Sequence, residues 1–185
     1  MGGGVDTPTV LVVEDEDQLG DLFESALAAE YTVERADNGG EALAKLDDSV
    51  DVVVLDRRMP DISGDQVLEK IDSYGIDCRV TMVTAVDPDF DVIDMGFDDY
   101  LTKPVRPDQL RETVERLLAL NEYEAKYREL SSKLVKKNIL EVEKTPAELD
   151  ESDRFAELQA RIDELEAELE SMQTKAKFDE RLLPT

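Results

Sequence analysis

Five short strand-like runs, Thr9 to Val13, Tyr31 to Ala36, Val52 to Leu55, Val80 to Val83 and Tyr100 to Thr102, alternate with helix-like segments. Two of them, 10–13 and 52–55, are apolar at every position. A strand with one wet face alternates polar and apolar residues, whereas an unbroken apolar strand has to be covered on both faces, as parallel strands are. The segments between the runs supply the cover. After Asp17, residues Leu19, Leu22, Phe23, Ala26 and Leu27 form the i, i+3, i+4 stripe of an amphipathic helix. Ser63-Gly64-Asp65-Gln66 has the pattern of a capping box and leads into Val67, Leu68 and Ile71. This alternation predicts a doubly wound α/β domain around a parallel sheet.

The pattern changes at Leu110. Apolar residues at Leu110, Val114, Leu117, Leu120, Tyr123, Tyr127, Leu130 and Leu134 predict a last domain helix that runs on without interruption. Lys144-Thr145-Pro146-Ala147-Glu148 then provides a break and a restart, with Thr145 as N-cap, Pro146 in the first helical position and Glu148 closing a capping box. A second long helix is expected to follow. Its seam, Phe155, Leu158, Ile162, Leu165, Leu169 and Met172, steps alternately by three and four, the heptad spacing of a coiled coil. Such a helix can fold back as a hairpin or pair with another chain, giving a homodimer, and the spacing is the same in both cases.

Composition removes several classes of chemistry. The 185 residues hold no histidine and one cysteine, Cys78, which excludes disulfide frameworks, zinc sites and imidazole catalysis within the chain. The net charge of −25 opposes nucleic-acid binding and suits an acidic surface adapted to concentrated salt. Residues 1–103 carry 7 basic and 26 acidic side chains, and residues 104–185 carry 14 and 20, so the acidity lies mainly in the N-terminal part. No apolar stretch approaches the roughly 18 to 20 residues of a membrane span, and the start lacks the profile of a signal peptide or a myristoylation site. The chain is therefore read as cytoplasmic, with no membrane partner.

In a doubly wound sheet, ligands bind beyond the carboxyl ends of the strands, where the strand order switches direction. The first strand ends in Glu14 and Asp15, the third in Asp56, the fourth in Thr84, and the fifth runs into Lys103. Singly, each has a simpler explanation: acidic pairs cap helices, a threonine caps a turn, and a lysine is a solvated charge. Jointly they gather three carboxylates, a hydroxyl and an ammonium at one edge. Clustered carboxylates raise one another's proton affinity, and a hard divalent ion such as Mg²⁺ relieves that repulsion.

The runs "VLVVEDE", "VVVLDRRMPDISG", "TMVTA" and "DDYLTKP" resemble the receiver domain of two-component response regulators over about residues 8–120. The resemblance implies a flavodoxin-like sheet of five parallel strands in the order 2-1-3-4-5. It also implies that Asp56 accepts a phosphoryl group from a partner histidine kinase. Glu14, Asp15, Asp56 and the backbone carbonyl of Arg58 would bind Mg²⁺, Thr84 and Lys103 would contact the phosphoryl oxygens, and Thr84 with Tyr100 would form the switch. Such a protein is no enzyme beyond its own phosphorylation and dephosphorylation. Between Thr84 and Lys103 the segment is shorter than in many receivers and contains Pro88 and Gly96, so the fourth helix is expected to be short or irregular.

The segment "ELSSKLVKKNILEVEKTPAELDESDRFAELQARIDELEAEL" resembles the HalX domain found after receivers in halophilic archaea. The implied organisation is a flexible N-terminus at 1–7, a receiver at 8–120, a helical output region at 121–178 with a turn near 144–146, and a tail at 179–185. Two outputs follow. One is transcription control with DNA contact through Arg128, Lys133, Lys136, Lys137 and Lys144. The other is a protein-interaction adaptor that does not touch DNA.

Overall fold

The computed structural model describes residues 7–85 and 90–180. The expected N-terminal segment therefore falls, apart from Thr7, outside the described residues, as do Pro88 and residues 181–185 of the tail. The chain divides into two compact units, Met1–Ala119 and Leu120–Thr185.

In the first unit, β1 (Thr9–Val13), β2 (Thr32–Ala36), β3 (Val52–Asp56), β4 (Arg79–Thr84) and β5 (Asp99–Thr102) form one sheet. All neighbours are parallel, in the order β2-β1-β3-β4-β5. β3 is buried at all five positions and β1 at four, which is why their sequences do not alternate. Each face has its own core. Val10, Val12, Val52 and Val54 meet Phe23 and Leu27 of α1 (Asp17–Leu27) and Leu110, Val114 and Leu117 from the start of α4 (Pro107–Glu143). On the other face Leu11, Val13, Val53 and Leu55 meet Ala42 of α2 (Gly39–Lys45) and Val67, Leu68 and Ile71 of α3 (Gly64–Tyr74). Full burial of such side chains stabilises by about 1.5–3 kcal/mol each, so the central strands are the firmest elements available to carry a site.

The capping box read at Ser63 is present: Gln66 N donates to Ser63 Oγ and Ser63 N donates to Gln66 Oε1. Between β4 and β5 the described residues form only a 3₁₀ helix, Phe90–Asp94.

In the second unit the remainder of α4 is followed by α5 (Pro146–Asp150) and α6 (Asp153–Glu180). The single long helix expected after Thr145 is thus two helices. The Thr145–Glu148 box does form, but α5 lasts five residues and Ser152 Oγ accepts from Phe155 N to start the chain helically again. The seam closes within the chain. Leu130 of α4 is buried with Ile162, Leu165 and Leu169 of α6, with Tyr123, Leu134 and Leu158 packed beside them. Ion pairs Lys126–Glu168 and Glu129–Arg161 and the bond from Gln173 Nε2 to Tyr123 Oη run in descending order, so the two helices are antiparallel. Leu120 and Tyr127, which continue the apolar series in sequence, are exposed.

Candidate functional site

The carboxyl edge of the sheet opens into a cleft of about 480 Å³ lined by Glu14, Asp15, Glu16, Asp56, Arg58, Thr84, Ala85 and Lys103. Glu14 follows β1, Asp56 is the last residue of β3, Thr84 is the last residue of β4, and Lys103 follows β5. Both Asp56 and Thr84 lie inside their strands rather than just beyond them. Their backbones are therefore held by sheet pairing, Asp56 opposite Val83 and Thr84 opposite Thr102.

Charge is concentrated and poorly hydrated here. Glu14 is 2% and Asp56 5% exposed, while Asp15 is open to solvent. Lys103 Nζ donates to Asp56 Oδ2 at 3.0 Å and stands 2.9 Å from Glu14 Oε2. The second approach is an ion pair off the direction of a hydrogen bond, and Oε2 is left without an aligned donor. Glu14 Oε1 accepts from the Glu16 amide at 3.2 Å, and Asp56 Oδ1 accepts from the Arg58 amide at 3.0 Å. Burial pushes the Glu14 carboxyl above its ordinary range, which Lys103 opposes and Asp56 reinforces. Burial also works against the Lys103 charge, but its contacts with Glu14 and Asp56 outweigh that and hold it above the usual lysine range.

Carboxylate oxygens of Glu14, Asp15 and Asp56 all lie within 4.8 Å of one another. Three carboxylates face a single ammonium, and one buried oxygen lacks an aligned donor. Such a set of hard oxygens fits a divalent cation of the Mg²⁺ class.

Of the residues read from sequence, Glu14, Asp15, Asp56, Arg58, Thr84 and Lys103 meet at the cleft; Tyr100 does not. It is half-buried in β5, packs with the core on the α2–α3 face and lies 5.5 Å from the Phe97 ring. The sequence reading passed over Glu16, whose amide steadies Glu14. It also gave Gly64 no role, although a Cβ there would lie 2.1 Å from the Asp56 carbonyl oxygen. The only advance signal was a glycine at the first position of a helix, where alanine has the better propensity.

The profile of the response regulator receiver domain matches residues 10–115, more than half of the sequence. The chain belongs to the response regulator receiver family. Directly after this receiver, the HalX domain profile matches residues 119–182. A Haloferax volcanii protein named "Putative transcriptional regulator" is 46% identical over 166 residues, 88% of this chain and 28% of its own length. The chain spans between about a quarter and a half of the curated relatives it matches, for example 47% and 53% of two from Bacillus subtilis. Among solved structures, a receiver domain protein (CheY-like) from Methanospirillum hungatei superposes with a TM-score of 0.60 at 30% identity, covering 64% of this chain and 98% of that one. The response regulator TrrA of Thermotoga maritima, solved with Mg²⁺-BeF, gives 0.53 at 34% identity, covering 60% and 99%.

Proposed function

We propose that the chain is the response regulator of a two-component phosphorelay in which Asp56 takes a phosphoryl group from a histidine kinase. A receiver over residues 8–120 then switches a helical output over 121–178. The observation that carries this reading is the Lys103 ammonium bridging Asp56 and Glu14 at the carboxyl ends of three parallel strands. In the transfer, an Asp56 carboxylate oxygen attacks phosphorus, the phosphorus–nitrogen bond of the phosphoimidazole breaks, and the imidazole leaves with the bonding pair and takes a proton. An acyl phosphate on Asp56 results. These 185 residues hold no histidine, so the phosphoimidazole lies outside them.

Catalysis of this kind is mainly positioning and charge compensation. The Arg58 amide fixes one Asp56 oxygen, and Lys103 offsets charge on the other and on the incoming phosphoryl oxygens. Mg²⁺ held by Glu14, Asp15, Asp56 and the Arg58 carbonyl would add further charge compensation. Thr84 and Tyr100 form the switch: the Thr84 hydroxyl draws toward the phosphoryl group, and Tyr100 fills the vacated space. By the same reading the protein acts in the cytoplasm and catalyses nothing beyond gain and loss of its own phosphate.

For the output, transcription control is the broader reading, and one observation favours an adaptor that leaves DNA to another protein. Arg128, Lys133, Lys137 and Lys144 each lie 3.5–3.9 Å from a glutamate four positions away on the chain. Four of the five cations thus face an acidic neighbour, which lowers the local positive potential that a phosphate would meet.

Intact-mass measurement after incubation with acetyl phosphate and Mg²⁺ tests the phosphoacceptor. Wild type should gain one labile phosphate and Asp56→Ala none; a wild type that stays unmodified while folded overturns the reading.

A further inference from the structure

The loop that follows Asp56 is tied down at both ends by a single residue, Arg57. Its carbonyl oxygen accepts from the Gly64 amide at 2.9 Å, which closes residues 57–64 into a loop. Its side chain, 12% exposed, turns to the first turn of α3, where Nε lies 3.1 and 3.3 Å from the two Asp65 carboxylate oxygens and Nη2 3.3 Å from one of them. Asp65 is well placed to hold this position, because a carboxylate in the first turn of a helix is favoured by the helix dipole. Gly64 then packs against the Asp56 carbonyl with no room for a side chain, and Met59 is buried in the core below. The peptide held between these anchors is that of Arg58, whose amide binds Asp56 Oδ1 and which lines the cleft.

We propose that Arg57 is a positioning residue for the Asp56 site: paired with Asp65, it fixes the 57–64 loop so that the Arg58 peptide presents its amide to Asp56 and its carbonyl to a bound cation. This rests on the reading of the cleft as an Mg²⁺-dependent phosphoacceptor site. A rival role for Arg57, as a positive charge near the site, makes the opposite prediction for cation binding. Removing a nearby cation tightens the hold on a divalent ion by simple electrostatics, whereas releasing the loop loosens it. Residues that orient ligands from behind are typically worth 10- to 100-fold in metal affinity.

The full chain is titrated with magnesium chloride, following the amide ¹H–¹⁵N shifts of Asp56 and Arg58, and amide exchange at Arg58 and Gly64 is measured without Mg²⁺. Arg57→Gln should weaken Mg²⁺ about tenfold and speed exchange at both amides. Arg57→Lys, which keeps the charge and loses the two-pronged fork, should weaken it less. The exchange of partners, Arg57→Asp with Asp65→Arg, should restore part of what either single change loses. If Arg57→Gln destabilises the fold, Arg57→Lys and the exchanged pair carry the test. Unchanged or tighter Mg²⁺ binding in both Arg57 variants overturns the positioning role while leaving the phosphoacceptor reading intact. A wild type that binds no Mg²⁺ overturns both.

Discussion

The two units stabilise themselves by different means. Met1–Ala119 wraps helices around a sheet whose central strand β3 is buried at every position, and, among the described residues, places its few buried charges at the sheet's carboxyl edge. Among its described residues, Leu120–Thr185 buries four aliphatic side chains, Leu130, Ile162, Leu165 and Leu169, and surrounds them with ion pairs such as Glu129–Arg161 and Lys126–Glu168. The acidic excess is divided just as unevenly: 10 basic and 29 acidic side chains in residues 1–119 against 11 and 17 in 120–185. A unit with a thick core tolerates strong self-repulsion, while a thin hairpin needs its charges paired.

Truncating one core residue in each unit is the most forceful way to break this comparison. Phe23→Ala should cost the first unit about 4 kcal/mol and Leu165→Ala the second about 3 kcal/mol. Site-resolved hydrogen exchange should show each loss confined to its own unit; equal losses in both would mean that they unfold as one.

Cys78 sharpens it next, as a reporter of the first unit alone. Burial, with Asp98 and Asp77 adding to it, pushes its thiol up to about 11 from the usual 9. At pH 8 the folded chain should react with iodoacetamide about 100-fold more slowly than the unfolded chain, since two pKa units are a hundredfold in thiolate. The folded thiol stays protonated, so its contribution to stability is whole below pH 9 and is lost as pH rises toward 11. Fast alkylation at pH 8 without unfolding would contradict the burial.

Acid should separate the units by sign. Glu129 is held below its ordinary value of 4.5, first by Arg161, so its contribution to the hairpin is present above 4.5 and falls away as pH drops further. Glu14 is raised above 4.5 by burial, so its contribution is whole below 4.5 and is lost as pH rises through the folded value. In melts without Mg²⁺, Glu129→Gln should therefore flatten the acid limb of the second unit, and Glu14→Gln should stabilise the first unit near neutral pH. A destabilising Glu14→Gln would show that Lys103 more than offsets the desolvation.

The smallest effect is expected from single ion pairs. Arg161→Gln should lower the hairpin's melting temperature only slightly, and less in concentrated salt, as for pairs open to solvent. A loss that is independent of salt would show that the pair acts through packing.

How much of this was legible in the sequence depended on how local the causes are. The fully apolar run at 52–55 announced a covered parallel strand, and Ser63 to Gln66 announced a helix start, because both signals sit within a few consecutive residues. The restart at Ser152 was missed because a serine N-cap without a reciprocal glutamate is a weak signal, and the stronger box at Thr145 stood just upstream. The Arg57–Asp65 pair was not read from the sequence because nothing in a sequence pairs two residues eight apart in different elements. Tyr100 carried an aromatic signal, yet its packing against Phe97 on the α2–α3 face depends on which way β5 turns its side chains.

The sequence by itself determined that the chain builds a parallel sheet covered on both faces, that three carboxylates and a lysine lie at the ends of its strands, and that a heptad seam lies downstream. Periodicity and chain order are enough for these. Only the tertiary structure decided that Lys103 bridges Glu14 and Asp56, that Gly64 leaves no space beside Asp56, and that the seam closes on α4 of the same chain. The physical reason is the same in each case: a pattern fixes which face of an element is sticky, but distances of about 3 Å and the identity of the partner emerge only when separate elements pack.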